Sequence, residues 1–237
     1  MDVTAQRYMR GMENFRRYAL YYAPPPGVFH DRTAAWLGWD AASGQEVSPP
    51  ETAIDSEPLT REPRKYGFHG TIRAPFRLAG GLILADLRAA ADQLAAELPP
   101  VRMEGLRLTS LHGFMALIPM GDPAPLQALG AAVVRGTNHL RAPLTEEEIA
   151  RRRPERLTDR QRQLLEEFGY PGVMEEFRFH LTLTGPLPET DRERVAGVLA
   201  DYLGDCIPSP FLIEDLVLFG EDPEGRFHQL DRFALRG

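Results

Sequence analysis

Residues 69–76 read His-Gly-Thr-Ile-Arg-Ala-Pro-Phe, and residues 180–187 read His-Leu-Thr-Leu-Thr-Gly-Pro-Leu. Both follow one pattern: His, any residue, Thr, an aliphatic, any residue, a small residue, Pro, an apolar residue. Each is followed by a stretch of helical periodicity and then by Glu-x-Leu-x-Leu, at Glu104–Leu108 and at Glu214–Leu218. The offset is 111 residues at the histidines and 110 at the glutamates. That is too long for a solenoid repeat and fits one duplication of a strand–helix–strand–strand unit. A bare His-x-Thr is a weak signal. The proline six residues after each histidine, and the matching elements downstream, give it weight.

Side chains two apart on a strand share a face. His69 and Thr71 therefore share one, with Lys65 and Arg73 in line, while Tyr66, Phe68 and Ile72 take the other. In the second copy Arg178, His180, Thr182 and Thr184 oppose Phe177, Phe179, Leu181 and Leu183. Each strand thus offers an apolar face to a core and a polar face to a cleft. Two imidazoles and two hydroxyls meeting across that cleft suit a phosphodiester. One histidine takes a proton and the other donates one, both near neutral pH. The threonine hydroxyls bond the non-bridging oxygens and arginine offsets developing charge. The candidates are His69, Thr71, His180 and Thr182 for catalysis, with Arg73, Arg178, Lys65 and Tyr21 for substrate binding. His30, His112, His139 and His228 lack the pattern and read as structural or surface residues.

Outward from the repeat, 16–24 reads as a first strand closed by Pro24-Pro25-Pro26, and 31–39 as a short helix capped by Asp31. Residues 43–63 read as a loop, 82–98 and 123–140 as helices, and 101–111 with 113–119 as paired strands. A helix over 190–203 and a closing antiparallel pair complete the chain. The charged segment 141–176 reads as a helical insertion, in which Arg151, Arg152 and Arg153 form either a solvated helix face or the border of a cleft. Residues 1–14 read as a loose polar extension, and 15–237 as a single bilobal domain. The fold class expected is α+β: a duplicated, bilobal arrangement of two antiparallel sheets facing a central cleft, helices outside.

Composition sets the limits. With 237 residues, 43% apolar and 26% charged, the chain is an ordinary globular protein. A net charge of -7 disfavours long nucleic acid as the general partner. A lone cysteine, Cys206, excludes a disulfide framework or a cysteine zinc site and suits a reducing cytoplasm. No signal-peptide core or membrane-length apolar run is present. The motifs hold no third metal ligand, so a metal-independent, cofactor-free reaction is expected.

The paired motifs resemble the 2H phosphoesterase superfamily, whose members carry two His-x-Thr/Ser motifs on strands of a duplicated bilobal α+β fold. KYGFHGTIRAPF and FRFHLTLTGPL, with GYPGVM before the second, are similar to a branch of unknown function found beside phosphonate-catabolism genes. The resemblance implies His69 and His180 as the proton-transfer pair and Thr71 and Thr182 as phosphate holders. It implies a small cyclic phosphodiester as substrate, such as a cyclic ribose phosphate. The alternatives are an RNA-end 2',3'-cyclic phosphodiesterase and a non-catalytic nucleotide or RNA-end binding module. No membrane partner is expected, and the oligomeric state is open.

Overall fold

The two motif strands, β4 (Gly70–Phe76) and β8 (Leu181–Thr182), lie side by side at the middle of one sheet. The computed structural model describes residues 15–237; the extension read at 1–14 lies outside the described residues. On one flank β4 pairs with β1 (Arg17–Tyr22), followed by β10 (Asp215–Glu221) and β11 (Phe227–Ala234). On the other, β8 pairs with β7 (Phe114–Met120) and then β6 (Gly105–Leu111). All of these pairings are antiparallel. The chain is α+β, as expected, but the two half-sheets are hydrogen-bonded into one sheet of seven strands through Gly70↔Leu181.

That junction is a symmetry element. Gly70 and Leu181 are equivalent residues of the two copies, and they pair with each other. A second ribbon does the same: β5 (Val101–Met103) pairs with β9 (Phe211–Ile213), with Arg102 opposite Leu212, again equivalent positions. Equivalent residues meet antiparallel only about a local twofold axis. The motif strand of the first copy lies in the half-sheet with β10 and β11 of the second. The motif strand of the second lies beside β7 and β6 of the first.

Alternation then sorts the core. On β1, Tyr18, Leu20 and Tyr22 enter the main core, while Ala19 and Tyr21 join a smaller cluster on the opposite face. The main core is roofed by four helices. They are α1 (Val28–Leu37), α2 (Leu84–Glu97), α3 (Ala124–Thr137) and α6 (Glu189–Leu203). Each presents an apolar stripe: Leu87, Ala91 and Ala95 on α2, and Val195, Leu199 and Leu203 on α6 are fully or almost fully buried at helical spacing. Phe68, Ile72, Phe177, Phe179, Leu181 and Leu183 all enter this core. Trp36 and Trp39 are both buried, each donating its indole N–H to a carbonyl, of Leu183 and Phe227.

The opposite face is covered differently. A small hairpin of β2 (Trp39–Asp40) and β3 (Gln45–Glu46) closes one side. The segment read as an insertion closes the other with α4 (Glu146–Arg151) and α5 (Asp159–Phe168), each opened by a threonine capping box, at Thr145 and Thr158. Leu164, Phe168, Val173 and Met174 pack against Val134 of α3 and anchor it. The first helix departs from its expected cap: it begins at Val28 after Gly27, and Asp31 sits inside its first turn.

Candidate active site

The pair Gly70↔Leu181 fixes the site. Continuing its antiparallel register sets His69 opposite Thr182 and Thr71 opposite His180. Residues directly opposite each other point to the same face, with Cβ atoms about 4.5–5.5 Å apart. The four side chains therefore form a square in which each histidine faces the other copy's threonine. All four line one cavity of about 600 Å³.

The two imidazoles are held alike. His69 Nδ1 lies 2.9 Å from the Gly67 carbonyl, and His180 Nδ1 lies 2.8 Å from the Arg178 carbonyl. A carbonyl can only accept, so Nδ1 carries the proton in both rings and Nε2 is left to the cavity. Gly67 makes this possible in the first copy. Its φ of 69° turns the chain so that its carbonyl meets the ring, and a Cβ there would come within 2.7 Å of Ala41 Cβ.

The environments of the two rings differ. Tyr21 stacks on His69 with ring centroids 4.0 Å apart, and Tyr66 lies 5.8 Å away. His69 is half-buried and lines the cavity. This burial, with His180 nearby, pushes its pKa down to about 4, although the Gly67 hydrogen bond opposes the shift. Its Nε2 accepts from the Thr71 hydroxyl at 3.3 Å. The His180 ring has a single aromatic neighbour among the described residues, Phe114 at 5.7 Å.

Tyr21 and Arg73 line the cavity; Lys65 and Arg178 do not. Lys65 lies on a 3-10 turn (Pro63–Tyr66) and pairs with Glu62 in solvent. Arg178 folds back onto the carbonyls of Glu175 and Phe177. Strand alternation places neither, because the pairing begins only at Gly70 and Leu181. Arg73 arrives by an altered route. A register shift between Leu20↔Arg73 and Tyr21↔Thr71 breaks the alternation, and the side chain is 1% exposed. Its removal to alanine is therefore a change in the core as well as in the cavity.

The cavity also gathers Arg17, Arg77, Arg141, Glu148 and Tyr170, of which the motifs gave no hint, and Tyr66, which alternation had set on the core face. Arg151 and Arg152 line it too, which favours the cleft-border reading of that run over the solvated face. Arg17 is tied to Glu221 through both of its contacting nitrogens, and Arg77 grips Glu148 at 3.1 and 2.9 Å. That grip holds the Glu148 carboxyl down at about 2. Among the described residues no three His, Cys, Asp or Glu side chains gather in a metal-binding group, and no helix is long and apolar enough to cross a membrane.

Comparisons place the chain among known proteins. It is 37% identical over 189 residues to ribose 1,5-bisphosphate phosphokinase PhnN of Janthinobacterium sp. (strain Marseille), covering 76% of this chain and 41% of that protein. It is 34% identical over 223 residues to the protein of the same name from Laribacter hongkongensis (strain HLHK9), covering 92% and 51%. The chain thus spans about half the length of the curated relatives it matches. Among solved structures it is similar to TT0787 of Thermus thermophilus, with 18% identity, a TM-score of 0.46, and 93% and 98% of the two chains covered. It is also similar to E. coli LigT complexed with phosphate, with 12% identity, a TM-score of 0.42, and 95% and 100% covered. The model of a family described as a protein of unknown function matches residues 71–228, well over half of the sequence, and the chain belongs to that family, DUF1045.

Proposed function

We propose that the chain is a metal-independent phosphoesterase that opens a small cyclic phosphodiester by paired histidine acid–base catalysis. The observation that carries this reading is the square of His69, Thr71, His180 and Thr182 at the β4–β8 junction, with both Nε2 atoms free of the backbone. A binding module needs no pair of imidazoles held in matching tautomers.

The depressed pKa of His69 supports the role of base for that ring. His69, with its depressed pKa, is neutral at pH 7 and offers a lone pair at Nε2. It takes the proton of a water that attacks phosphorus. His180 in its protonated form gives its Nε2 proton to the ring oxygen that leaves. One P–O bond forms, one breaks, and the product is a phosphomonoester with a free hydroxyl. The imidazoles then exchange protons with solvent and return to their starting states. Thr71 and Thr182 donate to the non-bridging oxygens, where negative charge grows in the transition state.

The relatives' name supports a pentose phosphate as the substrate class. Opening the 1,2-cyclic phosphate of ribose 5-phosphate at the 2-oxygen leaves ribose 1,5-bisphosphate, the compound named for those proteins. On this reading the reaction stands immediately before a kinase step, in phosphonate metabolism. A cavity of about 600 Å³ is of small-ligand size. The test is a panel of ribose 1,2-cyclic phosphates and 2',3'-cyclic nucleotides, assayed with both histidine variants. Preference for cyclic nucleotides or RNA ends would overturn the pentose assignment, and tight binding without turnover would overturn the enzymatic one.

Two further outcomes are expected. Thr71→Ala and Thr182→Ala each lose about 1.5–3 kcal/mol of transition-state stabilisation, the scale of a hydrogen bond to a charged group, read as kcat/KM. Exhaustive treatment with EDTA leaves turnover unchanged. Loss of activity restored by a divalent cation would point to metal-assisted hydrolysis.

A further inference from the structure

Arg73 is the anomaly of the cavity. It is the bulkiest buried charged side chain, and no carboxylate pairs with it among the described residues. Its guanidinium donates to the Phe168 carbonyl at 3.1 Å and the Asn138 side-chain oxygen at 3.3 Å, while Nε has no partner at all. A buried charge without a counter-ion is costly and is seldom retained without a use. Burial, with Arg141 beside it, pulls its pKa down to about 10. Arg141 shares the same Asn138 oxygen at 3.4 Å, and its other bonds run to the carbonyls of Ala142 and Glu167.

Two desolvated guanidinium groups with one neutral oxygen between them lack an anion. The carboxylates lining the cavity do not pair with them: Glu148 attracts Arg141 through space but is gripped by Arg77, and Glu62 pairs with Lys65 outside. Arg151 and Arg152 add charge at the same wall, Arg151 bonding a carbonyl and Arg152 stacking over Tyr170 at 4.8 Å. None of the four has a carboxylate partner among the described residues. This wall is also one-sided, because the position equivalent to Arg73 in the second copy is Thr184, whose hydroxyl is spent on Gly185 and Met115.

We infer that Arg73 and Arg141 form a second anion subsite, separate from the histidine square, that takes a non-reacting phosphate of the substrate. The inference rests on the phosphoesterase reading and narrows it to doubly phosphorylated substrates. Arg73 lies two residues beyond Thr71 on β4 and lines the same cavity, so this subsite adjoins the histidine square. Guanidinium groups suit this task through paired, planar hydrogen bonds to phosphate oxygens. The reacting phosphate, held among His69, Thr71, His180 and Thr182, needs no arginine for proton transfer, so the two ends of the ligand are recognised independently.

The experiment has two arms on the full chain. Calorimetric binding of ribose 5-phosphate, which has no cyclic ester to react, is compared for wild type, His69→Ala, Arg141→Ala and Arg73→Met. Binding is expected to weaken at least about tenfold in the two arginine variants, the loss of a charge-assisted hydrogen bond, and to be nearly unchanged in His69→Ala. Thermal melts establish that each variant is folded, and Arg141→Ala, at a half-buried site, carries the test should Arg73→Met fail to fold. In the second arm, ribose 1,2-cyclic phosphate is compared with its 5-phosphorylated form as substrate. Arg141→Ala is expected to raise KM for the phosphorylated compound alone and to leave kcat in place. Equal binding of ribose 5-phosphate to wild type and Arg141→Ala would overturn the subsite. Absence of turnover with Arg141-dependent binding intact would overturn the esterase reading and leave the subsite standing.

Discussion

His69→Ala and His180→Ala each lower kcat by about 10²–10⁴-fold, the contribution of a positioned general acid or base. The protein should still fold, because both rings line the cavity and the loss of the His69 ring opens only one face of Tyr21. Circular dichroism and a melting curve alongside the assay separate loss of chemistry from loss of structure. The pH profile gives a second reading of the same pair. Activity requires neutral His69, so kcat/KM is low in acid and rises as pH increases through the depressed pKa, about 4. A falling limb at higher pH follows from the need for a proton donor to the leaving oxygen. The profile is therefore a bell, and its limbs belong to the coupled pair rather than to single residues. The double variant should be little worse than either single one, because the two act in one proton-transfer event. Turnover unchanged in both single variants would end the two-histidine mechanism.

Gly70→Ala should damage the proposed activity without touching a reacting group. A Cβ at position 70 would lie 2.2 Å from Phe179 Cζ and 2.6 Å from Cε2. The Phe179 ring is held in the core beside Phe177, Tyr22 and Phe211 and has little room to retreat. Overpacking of this kind costs about 1–3 kcal/mol. Here the strain falls on the one pairing that sets the histidine–threonine square, so activity should fall further than stability does. A shift of about 1 Å at reacting groups is worth about 10²-fold in rate. Phe179→Leu in the same chain is expected to recover part of both losses, which a double-mutant cycle reads directly. A Gly70→Ala enzyme with full activity and unchanged Tm would show that the β4–β8 contact does not control the site.

The sequence brought together the four motif residues but not the surroundings in which they sit. The His-x-Thr repeat placed four residues on one face because strand alternation is local and needs only the spacing. The hairpin of β6 and β7 and the closing pair of β10 and β11 were legible for the same reason, since each is built from neighbours in the chain. Lys65 and Arg178 show where alternation stops. The motif strands were read as starting four or five residues too early, although Gly67 was a visible sign of a break in the first. Arg73 was named on the right wall for a reason that the strand's irregularity undoes. Arg141, Arg151, Arg152 and Tyr170 reach the cavity only because the 141–176 segment folds over the open face. No local pattern marks a residue whose role depends on where a distant segment docks. The joining of the half-sheets through Gly70 and Leu181 was equally hidden, resting on a single pair of residues 111 apart.

The exchange of motif strands between half-sheets bears on how such a site can arise. A chain holding one copy of the unit owns one histidine and leaves its motif strand with an unpaired edge. The square is rebuilt only when two such chains meet through those edges about the twofold, with identical walls on both sides. Fusing the copies replaces a concentration-dependent encounter with a tether. It also frees each half to change alone. Arginine at 73 against threonine at 184, and a ring stacked on Tyr21 at 69 against one beside Phe114 at 180, are differences that an identical pair could not hold. A ligand with one reacting end and one inert end requires unlike walls, and covalent linkage of the halves is what permits them.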